Sequence, residues 1–538
     1  MQSYKIGLDF GTTNSIISYL EDGKLEAFQY GGASGKKYIP SFISYDDNFI
    51  EIGDAARNNA AHQPNIKSYG NFKMRLPIPE SELVNSFQDG RTPMSVTKDY
   101  LNELLLSKEN ESSSFSNQQG KIAGLVVSVP EIWQRDICNL GRERLQRLIT
   151  EDLELGDKLI QLVSEPVAAA AYYAWEVQRQ AQQNKSEKFT GNLLVCDMGG
   201  GTFDVSLCRI FGNNKVEVLY FDGQGDKGLE SAGVAFDCRC VQIAYMKKNK
   251  NNHRLDKDKL DFSRLVKEFE SVKIDSHARS TNKLKNYLKD PEAMSEQNLY
   301  TFSGGYNVTF KEVSEAFAPV AEGIQRVMQR VKDWLQDNDQ KFERLFFVGG
   351  FCQFLLVQKA IAEALGIEDN DPRFDRSFNT INSTFAISYG ACLIANGLID
   401  PTERYIHTLG IVVDRINAQA EKEQLFIPII NGGVCLDDLA SPHFADIPPL
   451  VTFQSDAPLT ITIWIDPRSK GRKFKEVLPD MVKLPSYSPS NRWRVGMRVN
   501  RSQVAYLVIE EVHGNPKVEY ELGNIIAKMF PGFFLFED

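Results

Sequence analysis

Cysteine and histidine are scarce in this chain, eight and six in 538 residues. No Cys-x-x-Cys occurs, and Cys238 and Cys240 are the one close pair, so a disulfide scaffold is excluded and reduced thiols are expected. The scattered histidines form neither His-Glu-x-x-His nor any zinc-ligand spacing. No apolar run approaches the roughly 18 residues that a membrane helix needs. Met1-Gln-Ser-Tyr-Lys5 leads straight into a strand-like run, without a leader pattern. With 38 Gly and 22 Pro, collagen-like and mucin-like readings fail. Positive charge is not in excess either: the formal net charge is -10, which argues against a surface built for polyanions. Together these absences predict a cytoplasmic protein that binds neither nucleic acid nor membrane.

What is present is the composition of a globular protein, 42% hydrophobic and 25% charged, enough to build real cores. Up to Leu398, strand-like and helix-like stretches alternate. Short β-rich apolar runs cover Lys5–Asp9, Leu125–Val129, Leu159–Val163, Leu193–Asp197, Val216–Phe221 and Leu345–Val348. Longer periodic runs cover Val96–Ser107, Arg135–Ile149, Val167–Gln182, Leu260–Ser276, Val313–Asp337 and Phe385–Asn396. Such alternation means α/β layers. The polar stretches Lys108–Gly120 and Arg179–Gly191 read as exposed loops, the second a separator of two lobes. After Asp400-Pro401 the helical period vanishes. Leu425–Ile430, Leu459–Ile465, Ala505–Ile509 and Lys517–Leu522 read as strands of a β-rich domain. Residues 404–538 carry 15 basic and 16 acidic side chains, so most of the net charge lies before them. The expected division is an α/β domain over 1–398, a linker at 399–405 and a β-rich domain over 406–538.

An internal repeat is the informative feature. Ile6-Gly-Leu-Asp9-Phe-Gly11-Thr12-Thr13-Asn14 near the start is matched by Leu194-Val-Cys-Asp197-Met-Gly199-Gly200-Gly201-Thr202-Phe-Asp204. Each is an apolar strand, an Asp, a Gly/Thr turn and a second strand. Glycines let backbone N–H groups converge on an anion without a side chain in the way, and Thr hydroxyls add donors. An Asp at the strand end suits Mg²⁺ held through water, since Mg²⁺ dehydrates reluctantly. Two matching copies with the Asp in register outweigh the alternative of two ordinary glycine hairpins. A third element, Arg344-Leu-Phe-Phe-Val348-Gly349-Gly350, ends a strand in paired glycines against which a nucleobase or ribose could lie; simple packing is its alternative. Gly223-Gln-Gly225-Asp-Lys-Gly228 fits a dinucleotide fingerprint but lacks the acidic residue about twenty positions on that such a site needs. There is no Walker-type P-loop.

With these residues in view, the chain resembles the 70-kDa heat-shock chaperone (DnaK-like) family. Further matches are Ile39-Pro40-Ser41, Ile52-Gly53-Asp54-Ala55-Ala56, Asn71-Phe-Lys73-Met-Arg-Leu, Val127-Ser-Val-Pro130, Ser164-Glu165-Pro166, Gly233-Val-Ala-Phe-Asp237 and Ser388-Tyr-Gly390-Ala391, over about residues 4–397. The resemblance implies a two-lobed, actin-like (ribonuclease-H-like) ATPase domain followed by a small all-β, sandwich-like domain. It implies ATP or ADP and Mg²⁺ as cofactors, with K⁺ a further candidate. Carried over, Asp9 and Asp197 orient the metal; Gly11, Thr12, Thr13, Asn14, Gly199, Gly200, Gly201 and Thr202 cradle phosphates. Lys73 and Glu165 act at the γ-phosphate and the attacking water; their alternatives are a solvated lysine and a structurally paired buried acid. Glu270, Lys273, Ile274, Gly349, Gly350 and Gln353 form the nucleoside side.

Departures from the family pattern are part of the same reading. Ile274 and Gln353 stand where the family has arginines that stack on adenine, and Thr384 stands where it has an Asp. The position of the arginine that relays nucleotide state is Cys138, with Arg135 or Arg142 as substitutes. The acidic, leucine-rich linker is missing, and no length is left before Asp538 for a helical lid. The resemblance therefore implies an ATP-hydrolysing chaperone for unfolded or extended polypeptide, with a J-domain co-chaperone and a nucleotide-exchange factor as further partners. The alternative is an ATP-sensing scaffold whose β-domain docks one dedicated partner. The basic cluster Arg468–Lys475 reads as a solvated hairpin or a polyanion contact, and the apolar Met529–Phe536 as a last core strand or a groove plug.

Overall fold

The computed structural model describes residues 2–31, 35–46, 49–63, 66–78, 89–107, 113–131, 133, 139–185, 187–224, 232–249, 260–368, 371–375, 380–416, 421–451, 458–483 and 490–529. The chain forms two compact units: Met1–Leu76, Leu83–Ile132 and Leu148–Asp400 make the first, and Pro77–Glu82, Trp133–Arg147 and Pro401–Asp538 the second.

The first unit carries the repeat as two sheets of one plan. β1 (Ser3–Phe10), β2 (Asn14–Glu21) and β3 (Lys24–Ala27) run antiparallel, with β4 (Lys121–Val129) parallel to β1 and β5 (Leu159–Ser164) parallel to β4. β6 (Gly191–Met198), β7 (Phe203–Ile210) and β8 (Lys215–Gln224) run antiparallel, with β9 (Arg344–Val348) parallel to β6. The strands that begin each motif are buried on both faces: Ile6, Leu8 and Phe10, then Leu193, Leu194, Val195 and Cys196, are all closed to water. That explains their continuous apolar runs.

Two helices pack together against these strands. α1 (Glu165–Asn184) starts at Ser164, whose Oγ accepts from Val167 N, with Pro166 in the first turn. Its Ala168–Ala171 run meets α5 (Thr380–Ala395) so closely that a Cβ on Gly390 would lie 1.7 Å from Ala168 O. Gly7 of β1 is pressed in the same way against α5, 2.2 Å from Cys392 N. These small residues are there because backbone approaches backbone. α2 (Gly233–Lys248), α3 (Leu260–Asp275) and α4 (Phe310–Asp337) share a second core with β6 and β7 around Phe236, Phe269, Val327 and Phe351. α4 opens on a capping box of Thr309 and Glu312.

α1 corrects one expectation: Arg179–Asn184 is helix, not loop, its polar residues lying on the outer face of a helix whose inner face holds Ala181. Among the described residues after the helix, Lys185 is in a turn and 187–190 are irregular. In Lys108–Gly120, residues Phe115–Gln118 form a helical turn capped by Ser114, and Phe115 is buried among Tyr4, Tyr19 and Phe28.

The second unit is a β-sandwich. One sheet orders β11 (Lys422–Ile430), β10 (Thr408–Ile416), β12 (Pro458–Asp466) and β13 (Phe474–Lys483). The other holds β14 (Arg492–Val499), β15 (Ala505–Glu511) and β16 (Lys517–Gly523), with short His443–Phe444 and Leu450–Val451 on β14. Ile411, Ile463 and Ile465 face Trp493, Met497, Leu507 and Ile509 in its core. The basic cluster is the β12–β13 hairpin, Ile465 opposite Phe474; Lys473 Nζ lies 5.2 Å from both the Phe426 and Trp464 rings. Arg404–Tyr405, expected as linker, is a strand paired with Val434–Cys435.

Helix Asn139–Arg147 packs on Ile525–Met529 inside this second unit. There Arg142, fully buried, donates from Nε to Ser502 O at 3.4 Å. Arg144 Nη1 donates to Ile78 O at 2.6 Å. Pro77–Glu82 and Trp133–Arg147 belong to the same compact unit as the sandwich. Arg135, Cys138 and residues 530–536 of the apolar terminus lie outside the described residues. No helix among the described residues is long and apolar enough to cross a membrane.

Candidate functional site

Because β1–β2 and β6–β7 are tight antiparallel pairs, each turn projects its Gly and Thr residues from the end of a buried strand. The two turns face each other. A Cβ on Gly200 would lie 2.6 Å from Thr13 Oγ1, and one on Gly201 2.9 Å from Thr12 Oγ1 and 2.7 Å from Met74 Sδ. Only bare backbone fits there. Gly11 is likewise closed to a side chain, 2.3 Å from Asn14 O, whereas a Cβ on Gly199 meets nothing within 4 Å. Gly233 N and Val234 N, opening α2, donate to Gly199 O and Gly200 O at 3.1 and 3.0 Å and hold the second turn. Arg57 Nη2 reaches Thr13 O of the first at 3.4 Å.

Acids gather beneath the turns. Asp9 ends β1, accepts from Ser128 Oγ at 3.2 Å, and has its carboxyl pushed up to about 7, chiefly by burial, then by the Glu165 charge, against Lys73 and Ser128. Asp197 ends β6 directly across from Asp204. Burial first, then Glu165, Asp204 and Asp9, push its carboxyl well above the ordinary range, with Lys73 opposing. Asp197 Oδ2 is buried with no hydrogen-bond partner among the described residues. Thr202 Oγ1 donates to Asp204 Oδ2 at 2.6 Å.

One cation answers these acids. Lys73 lies in the 3₁₀ turn Phe72–Arg75, entered through Asn71 at φ 55°, and its side chain is 1% exposed. Its Nζ donates to Glu165 Oε1 at 2.6 Å and lies 5.6 Å from the Phe10 ring. The alternative of a solvated lysine is thereby removed. Glu165 is indeed a buried, paired acid, and its partner is the other residue expected to act with it.

A divalent cation fits this set. Several carboxylates with one ammonium leave an excess of negative charge, and Asp197 Oδ2 points at no protein donor. Carboxylates of this kind suit a hydrated Mg²⁺ held through its waters.

The nucleoside-side residues are less closely gathered. Gly349, at φ 80°, brings backbone against Asp197: a Cβ there would lie 2.4 Å from Asp197 Oδ1. Gly350 opens on space free of neighbours within 4 Å. Lys273 Nζ is held by both oxygens of Asp237 at 2.6 and 2.7 Å and sits 5.1 Å from the Phe351 ring. Asp237 is raised to about 6 by burial, with Lys273 opposing. Glu270 is half-buried on the same helix. Ile274 is 60% exposed. Gln353 donates from Nε2 to Ser383 Oγ at 3.3 Å and to Phe347 O at 3.5 Å.

Sequence reading gave no site role to Asp204, Ser128, Asp237 or Ser383. The first was legible: two residues beyond Thr202, it falls opposite Asp197 in any tight hairpin. Ser128 stands in the Val-Ser-Val-Pro run. The last two needed helix placement that no periodicity supplies. Of the dinucleotide-like Gly223–Gly228, only Gly223-Gln224 is described, and a Cβ on Gly223 would clash with Asp204 Oδ1 at 2.6 Å.

The Hsp70 protein family model matches residues 5–119 and 152–408. The chaperone protein DnaK of Mycoplasma mobile is 26% identical over 397 residues, 72% of this chain and 57% of that protein. Those of Deinococcus proteolyticus and Deinococcus radiodurans are each 27% identical, over 417 and 410 residues, covering 72% of this chain and 58% and 59% of theirs. The match thus spans less than two thirds of each relative. The unmatched stretch 120–151 contains Trp133–Arg147, which packs in the second unit. With the two-sheet plan, the facing turns and a family match over most of its length, the chain belongs to the Hsp70 chaperone family, as a divergent DnaK-like member with an actin-like domain and a β-rich C-terminal region.

Proposed function

We propose that this chain binds ATP with Mg²⁺ between the facing turns and hydrolyses it, and that the β-sandwich takes hold of extended polypeptide. The buried Lys73–Glu165 pair, set between Asp9 and Asp197, carries this reading. Phosphoryl transfer asks for position and charge neutralisation more than for covalent chemistry. Backbone N–H groups of Gly11–Thr13 and Gly199–Gly201 bind phosphate oxygens. Lys73 Nζ, kept in place by Glu165, offers its remaining hydrogens to the terminal phosphate and to the attacking water. Glu165 has a second oxygen to orient that water. Thr202, its hydroxyl hydrogen given to Asp204, presents lone pairs to the same water. Asp9 and Asp197 would hold Mg²⁺, which would supply neutralisation of phosphate charge.

Glu270, Gly349, Gly350 and Gln353 receive the nucleoside in this reading, ADP as well as ATP. Lys273, committed to Asp237, acts there by holding Phe351 behind the Gly349-Gly350 turn. J-domain and exchange-factor partners belong to the same reading. A second one, an ATP-sensing scaffold with a dedicated partner, is favoured by one observation: the family match ends at 408, before nearly all of the sandwich. ATP turnover measured with and without an unfolded polypeptide decides between them. Turnover that rises with polypeptide supports the chaperone; turnover near zero under both conditions supports the scaffold.

A further inference from the structure

We propose that Ser41 is a positioning residue for the nucleotide's phosphates: its backbone N–H and its hydroxyl draw two carbonyl oxygens of the first turn back, so that the turn presents N–H to the anion. This rests on the ATP-binding reading above and assigns to that site a residue outside both turns.

The geometry starts with a strand pairing. Ile39-Pro40 lies antiparallel to the start of β2, Pro40 opposite Asn14 and Ile39 opposite Ser15. Ser41 follows directly and is buried, 3% exposed. Its N donates to Thr13 O at 2.9 Å, and its Oγ to Gly11 O at 2.7 Å. One residue thus holds the carbonyls at both ends of Gly11-Thr12-Thr13. The hydroxyl has a single hydrogen, and Gly11 O takes it. Across the 3.0 Å contact with Ser15 Oγ, Ser15 must therefore be the donor. The chain Ser15 to Ser41 to Gly11 O runs in one direction only. Tyr100 backs the segment: fully buried, it donates to Ile39 O at 3.4 Å, and its ring lies 6.1 Å from that of Phe10 and 5.3 Å from that of Phe72.

What this does follows from the peptide plane. In a trans peptide the C=O of one residue and the N–H of the next point opposite ways. With Gly11 O drawn toward Ser41, Thr12 N–H points away from it. The second turn reaches the same end by other means, since Gly199 O and Gly200 O are held by Gly233 N and Val234 N. Those donors are backbone N–H groups, whereas one donor of the first turn is a side-chain hydroxyl that a substitution removes. Without it, Gly11 O loses that partner, and the peptide between Gly11 and Thr12 is released to turn its oxygen toward the phosphate.

The test is calorimetry on the full chain with Mg²⁺, using ATP and adenosine, which has no phosphate. Ser41→Ala should weaken ATP binding by about 10-fold and leave adenosine binding within about 2-fold of the parent's. Ser41→Thr, which keeps the hydroxyl, should restore ATP affinity to within about 3-fold of the parent's. Ser15→Ala, which removes the donor behind Ser41, should weaken ATP binding by about 2- to 3-fold. A melting curve for each variant separates lost folding from lost positioning, and Ser15→Ala carries the test should Ser41→Ala unfold. ATP affinity equal to the parent's in the alanine variants overturns the inference and leaves the ATP site standing. An equal loss for ATP and adenosine does the same, because it marks a general loosening of the fold and no effect on phosphate. A parent that binds no ATP overturns the inference together with the ATP-binding reading on which it rests.

Discussion

In the first turn Asp9 stands opposite Ile16 and takes a hydrogen bond from Ser128, while in the second Asp197 stands opposite Asp204, with one oxygen left unpartnered. The backbone plan is shared, and so is the closeness that forbids side chains. The electrostatics are not shared. Duplication of a phosphate turn has kept what backbone geometry demands and let the acids differ in how strongly they resist ionisation. The first acid is buffered by a hydroxyl, and the second is crowded by like charge. Both depend on one ammonium, that of Lys73.

Removing that shared cation is the harshest way to break the comparison. Lys73→Ala should lower ATP turnover by at least about 100-fold, on the scale of losing one transition-state donor. Nucleotide affinity, followed by calorimetry, should stay within about 3-fold, because in the proposed mode phosphate is bound through the backbone of the turns. Turnover equal to the parent's would remove Lys73 from the mechanism.

The inequality of the two acids is sharpened by replacing each in the unliganded protein. At pH 8, Asp197→Asn should raise the melting temperature by several degrees, the scale of about 1–3 kcal/mol, and Asp9→Asn by less. Both should lose Mg²⁺-dependent tightening of ATP binding. A larger rise for Asp9→Asn would reverse the ranking drawn from Asp204 and Ser128.

Asp237 supplies a reference acid outside the turns, buried with a single counter-charge. Its carboxyl is raised from 3.8 to about 6, so the folded chain holds this proton more tightly than the unfolded one. The stability this brings is complete below pH 3.8 and is lost as pH rises through about 6. Asp237→Asn should therefore flatten the fall in melting temperature between pH 4 and 6, by no more than about 3 kcal/mol. A slope equal to the parent's would show that the Lys273 pair already compensates the burial.

The smallest effect tests the facing of the turns. Gly200→Ala places a methyl 2.6 Å from Thr13 Oγ1 and 3.0 Å from Val234 Cγ2. The turns must part, and ATP affinity should fall by about 10-fold, on the order of 1.4 kcal/mol. Unchanged affinity would mean that the anion does not sit between them.

The strands that carry Asp9 and Asp197 were legible because burial on both faces leaves an uninterrupted apolar run. The turns were legible because only Gly and Thr meet their two demands. Lys73 and Glu165 were placed by resemblance, and their 2.6 Å bond by the structure. Other elements were hidden for particular reasons. Arg179–Asn184 looked like loop because an exposed helix face has a loop's composition. β13 and β14 were passed over because Lys475, Glu476 and Pro479 in the sequence of the one, and exposed Arg492 and Arg494 in the other, dilute the alternation. The commitment of Lys273 to Asp237 depends on how α2 and α3 cross, which no local pattern encodes. Membership of Trp133–Arg147 in the second unit is equally nonlocal, and the family match is silent over that stretch.

The facing turns also set an order of events during synthesis. Thr13 emerges from the ribosome long before Gly200, and Lys73 before Glu165. Until the second strand pair has formed, the first turn has no opposite wall, although Lys73 can already meet Glu165 once β5 and the start of α1 are made. β1, β2 and β3 can pair early because their contacts are local, but the phosphate site closes only through contacts of high sequence separation. A chain stalled before β7 would hold a finished first sheet and the carboxylate partner of Lys73, but no second turn, a half-built site that a ligand cannot yet close.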